Sequence, residues 1–290
     1  MEEFTFKAIG TEWRITSKEA PFRDEDQKEV LVFVNDFENR FSRFIDTSEV
    51  NAFRGAEAGT YPISEEFATL LAEADRLREL TGGVYDPAAG ELLERAGYDK
   101  NYRMKPDDNT EGFVLPEWEL EGKDLTINGP TAFDLGGIGK GYCIDRIANI
   151  LISLGYHNIA VEAGGDMYVT EKPDGSAWKV AIQYPGKENI AVGTVELRNE
   201  ALAVSDSFRR RWDNWHHIVD PHENKAIEHT IGAAAVAQNA WYADCMTSAL
   251  FLAPRTTHPS IAQNYNAAYL TFGGNGECVA SSNWNGEIFK

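Results

Sequence analysis

Apolar residues recur at three- and four-residue intervals in several segments of the chain, which is the spacing of one buried helix face. One of these segments begins with a serine followed by two acidic residues, which favour a helix N-terminus, and it stops at Gly82-Gly83. That stop places Tyr85-Asp86-Pro87 on a loop, where a ligand can be met. The predicted helices are 24–41, 64–81, about 140–155 and about 239–252.

Alternating apolar and polar residues predict strands elsewhere. A strand pair spans about 4–17 with Gly10 at its bend, whereas 97–123 is polar without a regular period and is predicted to be irregular. The other predicted strands are 124–128, 158–163, 166–172, 178–184, 192–204, 231–237, 267–273 and 277–281. Because helices and strands do not alternate regularly, the pattern predicts an α+β fold.

Composition and net charge exclude some classes of function for this protein. Apolar residues make up 43% of the 290 positions, which is enough for a large core, and the formal net charge is −19. A surface so negative repels nucleic acid and anionic membranes, so we expect neither as a partner. Any phosphate-binding site must therefore be a local feature of the fold.

Cysteines and the N-terminal sequence indicate the compartment. The three cysteines have no C-x-x-C spacing, which predicts neither a disulfide framework nor a zinc site. The first residues carry no basic and apolar leader or lipidation cysteine, and no stretch is long enough to span a bilayer. We expect a cytoplasmic protein without an integral membrane segment, or an exported one if a leader was removed.

A glycine-rich run, Asp134-Leu-Gly-Gly-Ile-Gly-Lys-Gly141, leads directly into the third predicted helix, and Ala163-Gly-Gly-Asp166 follows it. Glycines allow close backbone approach to a ligand, and a helix N-terminus directs free N–H groups at an anion. The run matches neither the dinucleotide nor the P-loop fingerprint. A phosphate-bearing ligand and a tight structural turn both remain open on this motif alone.

Six further motifs accompany the glycine-rich run along the chain. They are Phe6-Lys-Ala-Ile-Gly-Thr11, Phe41-Ser-Arg-Phe44 with Ser48-Glu49, Thr81-Gly-Gly-Val-Tyr-Asp-Pro87, Ala163-Gly-Gly-Asp166, His217-Ile-Val-Asp-Pro221 and Ala243-Asp-Cys-Met-Thr-Ser-Ala-Leu-Phe251. In these motifs and in their order, the chain resembles the FAD:protein FMN transferases of the ApbE family. The resemblance implies an ApbE-like fold of mixed sheets with packed helices, as a single domain over 1–290.

Asp244 and Ser248 are four residues apart on a predicted helix, so their side chains project from one face. A carboxylate and a hydroxyl with a backbone carbonyl make a hard-oxygen site that suits Mg²⁺. An ordinary helix acid beside a back-bonded serine is the alternative from spacing alone. The resemblance favours the metal, since relatives bind it with an Asp, a Thr four residues on and a main-chain oxygen that corresponds to Gly137.

The resemblance also implies a flavin site. Lys140 would place a positive charge at the pyrophosphate of FAD. Phe44 corresponds to an aromatic position near the flavin ring, which suits stacking. The further positions at which relatives contact FAD correspond to Ile9, Val84, Tyr85, Asp86, Asp134 and Ile218.

His217 is the candidate general base, because an unperturbed imidazole titrates near neutral pH and the family shares His-x-x-Asp-Pro. An aspartate in that role is an open alternative. Two departures from the family lie nearby: His222-Glu-Asn224 replaces the usual Arg-Thr-Gly, and Val204-Ser-Asp206 replaces Thr-Ser-Gly. The charge of Asp206 is expected either to repel phosphate or to be offset by the three arginines at 209–211. If these arginines do not offset it, they form a solvated basic patch.

The expected activity is therefore Mg²⁺-dependent transfer of FMN from FAD to a Thr or Ser hydroxyl of an acceptor flavoprotein, with release of AMP. His217, Asp244 and Lys140 would carry the chemistry. Family acceptors have an Asp-x-x-Ser/Thr-Ala/Gly-Thr signature, which this chain lacks, so the acceptor is expected to be another protein. An FAD pyrophosphatase and a non-catalytic flavin-binding protein are the alternatives.

Overall fold

The computed structural model describes residues 2–289, and its mixture of helices and sheets confirms the predicted α+β class. Within these residues, no helix combines the length and the apolar composition that crossing a bilayer requires. The helices are α1 (Asp24–Phe41), α2 (Glu65–Leu80), α3 (Gly90–Arg95), α4 (Gly139–Ser153), α5 (Ala240–Leu252) and α6 (His258–Tyr265). Short 3-10 helices span Glu49–Phe53, Thr110–Gly112 and Arg255–Thr257.

The strands, in chain order, are β1 (Glu2–Ala8), β2 (Thr11–Ser17), β3 (Gly59–Pro62), β4 (Trp118–Glu121), β5 (Asp124–Ile127), β6 (Ile159–Ala163), β7 (Asp166–Val169), β8 (Trp178–Tyr184), β9 (Lys187–Leu197), β10 (Glu200–Asp206), β11 (Arg211–Trp212), β12 (Trp215–His216), β13 (Val219–Asp220), β14 (Lys225–Ala226), β15 (Thr230–Ala237), β16 (Ala268–Gly273), β17 (Cys278–Ala280) and β18 (Gly286–Ile288). The central sheet has the order β1-β2-β6-β7-β10-β15-β16-β17, and all its pairs are antiparallel.

Each face of the central sheet covers a hydrophobic core. On one face, α4 and α5 pack against the middle strands, and α1, α2 and α6 pack around those two helices. On the other face, the core between the central sheet and the small sheet β18-β9-β8 includes Leu202 and Leu270 of the former and Val195 of the latter. The helical face therefore holds α4 and α5 against the sheet, and these two helices carry the candidate residues Lys140, Asp244 and Ser248.

Several hairpin turns gather at one end of the central sheet. The β1–β2 turn is formed by Ile9 and Gly10, both with positive φ, and the β6–β7 turn by Gly164 and Gly165. The carboxyl end of β10 lies beside the second turn, because β10 runs antiparallel to β7. Ile9 has φ of 51°, a strained conformation for a β-branched side chain. Strain of this kind is concentrated at functional sites, and this end of the sheet holds the candidate site.

The structure confirms the four predicted helices and most of the strands, and it corrects several boundaries. The segment 192–204, predicted as one strand, is split between β9 and β10 by a turn in which Asn199 has φ of 52°. The segment 97–123 is not irregular throughout, since β4 pairs with β5. The helix α5 is followed by α6, and β3, α3 and the short strands between 211 and 226 were not predicted.

Candidate functional site

The amino end of α4 lies directly against α5, and a glycine makes this approach geometrically feasible. A Cβ atom on Gly141 would lie 2.3 Å from the carbonyl oxygen of Ala240 and 2.7 Å from Cβ of Asp244. The N–H of Gly141 donates a hydrogen bond to Oδ2 of Asp244 at 2.8 Å. The glycine-rich run thus allows α4 to pack closely on α5, and the first turn of α4 lies against the Asp244 carboxylate.

Asp145 fixes the start of α5 from the neighbouring helix. Its two carboxylate oxygens accept the N–H groups of Ala240 and Trp241 at 2.8 and 2.9 Å, and Asn239 caps the same helix by accepting the N–H of Tyr242 at 2.8 Å. Burial raises the pKa of Asp145 to about 6, against the effect of these two hydrogen bonds. The relative position of α4 and α5 is therefore set by side-chain capping as well as by packing.

Ser248 and the Gly137 carbonyl meet on the other side of the glycine-rich run. The Ser248 hydroxyl donates to the Gly137 oxygen at 2.8 Å, whereas the Thr247 hydroxyl bonds to the Asp244 carbonyl and to Ser205. The structure thus brings together the predicted set Asp244, Ser248 and Gly137, and it is Ser248 rather than Thr247 that faces the glycine-rich run.

Lys140 extends from the first turn of α4 to the buried carboxylate of Asp166, with which it forms an ion pair. The Asp166 side chain is only 1% exposed, and its other oxygen accepts the N–H of Val204 at 2.8 Å. Burial lowers the pKa of Lys140, the negative charge of Asp244 opposes that shift, and the positive charges of Arg209 and Arg210 add to it. Lys140 therefore lies among both acids and other cations at the end of the sheet.

Arg43 holds the start of the glycine-rich run. Its buried guanidinium donates to Asp134, to the main-chain oxygen of Tyr98 at 2.7 Å and to Glu94 at 3.3 Å. Asp134 also accepts the N–H of Gly136 at 2.7 Å. The predicted FAD-contacting residue Asp134 is thus anchored by a buried arginine on a distant segment. Arg43 lies within the motif Phe41-Ser-Arg-Phe44, but nothing in the sequence indicated that it pairs with Asp134.

An aromatic group lies beside this arginine. The guanidinium of Arg43 is 4.2 Å from the ring centroid of Phe44 and 4.9 Å from that of Tyr98. The ring of Tyr102 stacks on Phe44 with a centroid distance of 5.6 Å, and Tyr102 is 49% exposed. Phe44 therefore belongs to a group of aromatic rings near the surface, which is where flavin stacking would require it. One face of the Phe44 ring is covered by Tyr102.

The remaining residues predicted to contact FAD lie around the same region and differ in burial and in hydrogen-bond partners. Ile9, Val84 and Ile218 are half-buried at the edge of the main core. Tyr85 is buried, and within 2–289 its hydroxyl has no hydrogen-bond partner. The Asp86 carboxylate instead points inward, where it accepts the indole N–H of Trp118 at 2.9 Å and the N–H of Ala88 at 2.8 Å, and burial raises its pKa.

His217 is held as a neutral imidazole. Burial, followed by the positive charge of Arg210, lowers its pKa to about 3, although a hydrogen bond to the main chain of Arg210 opposes the shift. The Nδ1 atom is buried and has no hydrogen-bond partner among the described residues. His217 therefore presents a neutral imidazole that can accept a proton.

Both departures from the family pattern have local structural partners. The Asp206 carboxylate accepts the N–H groups of Phe208 and Arg209 at 2.8 and 2.9 Å and pairs with the Arg209 guanidinium at 3.2 Å. The His222 ring bonds to the carbonyl oxygen of Gly83 at 2.9 Å, which ties it to the loop before Tyr85. The charge of Asp206 is thus offset by Arg209, one of the two outcomes that the sequence left open.

Comparisons with known proteins agree on one family. The ApbE family model matches residues 9–271. The FAD:protein FMN transferase of Haemophilus influenzae is 25% identical over 267 residues, which cover 84% of this chain and 77% of that protein. The protein of the same name from Vibrio cholerae is 27% identical over 237 residues, which cover 77% of this chain and 70% of that protein.

Solved structures show the same relationship at the level of the fold. The flavin transferase ApbE from Vibrio cholerae superposes with a TM-score of 0.83 at 22% identity, covering 97% of this chain and 96% of that one. The ApbE protein from Thermotoga maritima superposes with a TM-score of 0.83 at 24% identity over the same shares of the two chains.

Proposed function

The chain belongs to the ApbE family, and we propose that it transfers FMN from FAD to a Ser or Thr hydroxyl of an acceptor flavoprotein and releases AMP. The observation that carries this proposal is the convergence of Asp244, Ser248, the Gly137 carbonyl and Lys140 where α4 meets α5. Two relatives named FAD:protein FMN transferase, of which this chain matches 77% and 70% of the length, support the same reaction.

The donor set fits Mg²⁺ bound together with its substrate. Within 2–289, no cluster of three or more His, Cys, Asp or Glu side chains is arranged to hold an ion. A carboxylate, a hydroxyl and a carbonyl are hard oxygen donors, and Mg²⁺ commonly takes its remaining ligands from waters and substrate phosphates. Asp244, Ser248 and Gly137 would hold the ion, which would neutralise charge that develops on the phosphates.

The protein's own residues would then bind the substrate and move one proton. Lys140 would pair with the pyrophosphate, and Phe44 would contact the flavin ring. The acceptor hydroxyl oxygen forms a bond to the phosphorus of the FMN half as the bond from that phosphorus to the bridging oxygen breaks, and AMP leaves with that oxygen. His217 would take the hydroxyl proton at Nδ1, and the negative phosphates would raise its pKa towards the range of an effective base.

The acceptor would be a separate protein with the signature Asp-x-x-Ser/Thr-Ala/Gly-Thr. In this chain the Ala-Thr and Gly-Thr pairs, such as Gly10-Thr11 and Gly193-Thr194, lack the preceding Ser or Thr. The target hydroxyl must therefore come from a partner that approaches the end of the sheet where the site lies.

The fate of FMN tests the proposal. The protein is incubated with FAD and Mg²⁺, with and without a peptide that carries the acceptor signature, and AMP and the mass of the peptide are followed. We expect AMP release with a peptide gain of one FMN. AMP with free FMN in both samples would instead establish a pyrophosphatase, and bound, intact FAD would establish a flavin-binding protein.

Ser248→Ala offers a sharper version of the same experiment. We expect it to raise the Mg²⁺ concentration needed for transfer, because it removes one oxygen from the donor set. The matched control is Ser260→Ala in α6, whose hydroxyl bonds to the Thr257 carbonyl at 2.8 Å far from Gly137 in the chain. An unchanged Mg²⁺ requirement in Ser248→Ala would contradict the assigned ligand.

A further inference from the structure

Four cationic side chains lie around the candidate site, and three of them have a carboxylate partner. Lys140 pairs with Asp166, Arg43 with Asp134 and Arg209 with Asp206. For the fourth, Arg210, no carboxylate oxygen lies within 4.0 Å among the side chains that the structure describes, although the protein carries a net charge of −19. Its guanidinium lies 5.7 Å from the ring centroid of Tyr98, a contact that does not neutralise its charge. A cation without an anionic partner in so acidic a protein indicates a site for an anion that is not part of the chain.

Arg210 faces the site rather than open solvent. It is half-buried, and its Nη2 atom is 3.8 Å from the position that a Cβ atom of Gly10 would take, as is the Tyr102 hydroxyl. Arg210 directly precedes β11 and His217 directly follows β12, and these two strands pair Arg211 with His216, so Arg210 and His217 flank the same hairpin. The positive charge of Arg210 adds to the burial that lowers the pKa values of His217 and Lys140. The guanidinium therefore lies beside the β1–β2 turn, and Arg210 belongs to the same hairpin as the candidate base.

Unpartnered polar atoms in the same region point independently to a ligand. The buried Nδ1 of His217 and the buried hydroxyl of Tyr85 have no hydrogen-bond partner within 2–289. Buried polar atoms are costly to leave unpaired, and such orphans are explained when a bound group supplies the missing partners. Arg210 and His217 flank the hairpin in which Arg211 pairs with His216, so the guanidinium and the free Nδ1 belong to one local structure.

We propose that the guanidinium of Arg210 binds the FMN-side phosphate of the FAD pyrophosphate, as a second phosphate-binding cation beside Lys140. This inference rests on the proposed function, because it assumes that a flavin nucleotide occupies the site. A guanidinium suits the task, since its fork of donors matches two phosphate oxygens and its charge is retained at all working pH values. Bound phosphate would also relieve the mutual repulsion of Arg210 and Lys140.

Flavins that differ by one phosphate test the assignment without any transfer reaction. The dissociation constants of FMN and riboflavin are measured by flavin fluorescence for the wild-type protein, Arg210→Gln and Arg210→Lys. Loss of a charged hydrogen-bonding partner should weaken FMN binding roughly ten- to a hundredfold in Arg210→Gln. Riboflavin binding should stay within about twofold, and Arg210→Lys should recover part of the FMN affinity.

Arg211→Gln is the matched control, because Arg211 is the next residue and is exposed, with its guanidinium 6.0 Å from the ring centroid of Phe208. It should leave both affinities unchanged. Equal weakening of FMN and riboflavin in Arg210→Gln would show that Arg210 contacts the flavin ring, and unchanged FMN affinity would show no ligand contact; either result overturns the assignment. A wild-type protein that binds no flavin would overturn the proposed function as well.

Discussion

Three aspartates near the glycine-rich run have different structural roles, because each has a different bonding partner. Asp145 caps α5, Asp166 pairs with Lys140, and Asp244 accepts the N–H of Gly141 in the first turn of α4. The spacing of Asp244 and Ser248 made their common helix face predictable from the sequence. The partner of Asp166 was not predictable, because an ion pair between separate elements depends on the tertiary fold.

Replacing Asp166 should act through Lys140. Asp166→Asn removes the charge that holds the ammonium in place, so we expect FAD affinity to fall roughly tenfold or more. In a Lys140→Met background the same substitution should have little further effect, because the two changes remove one interaction. FAD titrations of the four proteins measure this coupling, and additive losses would show that Asp166 does not act through Lys140.

His217 should make stability depend on pH. Its pKa is about 3 in the folded protein and about 6.5 when unfolded. Between these values the unfolded state binds more protons, so stability is present above about pH 6.5 and is lost as the pH falls towards 3. Urea unfolding of wild-type protein and His217→Gln at about pH 7 and about pH 5 tests this. Equal pH dependence of the two proteins would contradict the lowered pKa of His217 in the folded protein.

The contact between α4 and α5 is the element-scale feature on which the site depends. The glycine-rich run was recognisable as a possible ligand loop, but the sequence did not show that Gly141 serves a helix contact. That role follows from the 2.3 Å approach to the Ala240 carbonyl, which is an effect of distant chain segments. A glycine can thus be required for packing between helices as well as for approach to a ligand.

Gly141→Ala should separate the two helices and destabilise the protein. Overpacking of this kind costs about 1–3 kcal/mol, and the first atom met here is backbone, which cannot rotate away. Gly139→Ala is a control in the same helix, because its Cβ would meet its nearest neighbour, in the Phe37 side chain, at an ordinary 3.6 Å. Unfolding midpoints measure both effects, and equal midpoints would contradict the close contact.

Strand pairing explains which elements the sequence failed to predict. The alternation over 192–204 continues through the turn at Asn199, so nothing in the hydrophobic period marks the break between β9 and β10. The strands β3 and β4 are only four residues long, and they are stabilised by pairing with β5 on either side. Such short strands depend on long-range partners, whereas the long amphipathic helices are specified by local spacing.

At the scale of the whole molecule, the cations of the site contrast with a net charge of −19. Lys140 pairs with Asp166, Arg209 donates to the Gly164 carbonyl and Arg210 lies beside Gly10, so all three cations are at one end of the central sheet. This end gives an otherwise acidic protein a local region suited to phosphate. The family and the α+β class were correctly predicted, because the motifs occur in order and the fold matches solved ApbE structures. The assignment of the individual site residues stays a prediction.

The mass of an acceptor peptide after incubation with FAD and Mg²⁺ tests the central claim most directly. Wild-type protein should add one FMN to the peptide, while its own mass stays unchanged because it lacks the acceptor signature. Asp244→Ala, confirmed as folded by circular dichroism, should slow this transfer at least a hundredfold, since it removes the carboxylate from the proposed metal site. A peptide that gains no FMN from the wild-type protein, or an equal rate with Asp244→Ala, would contradict the account.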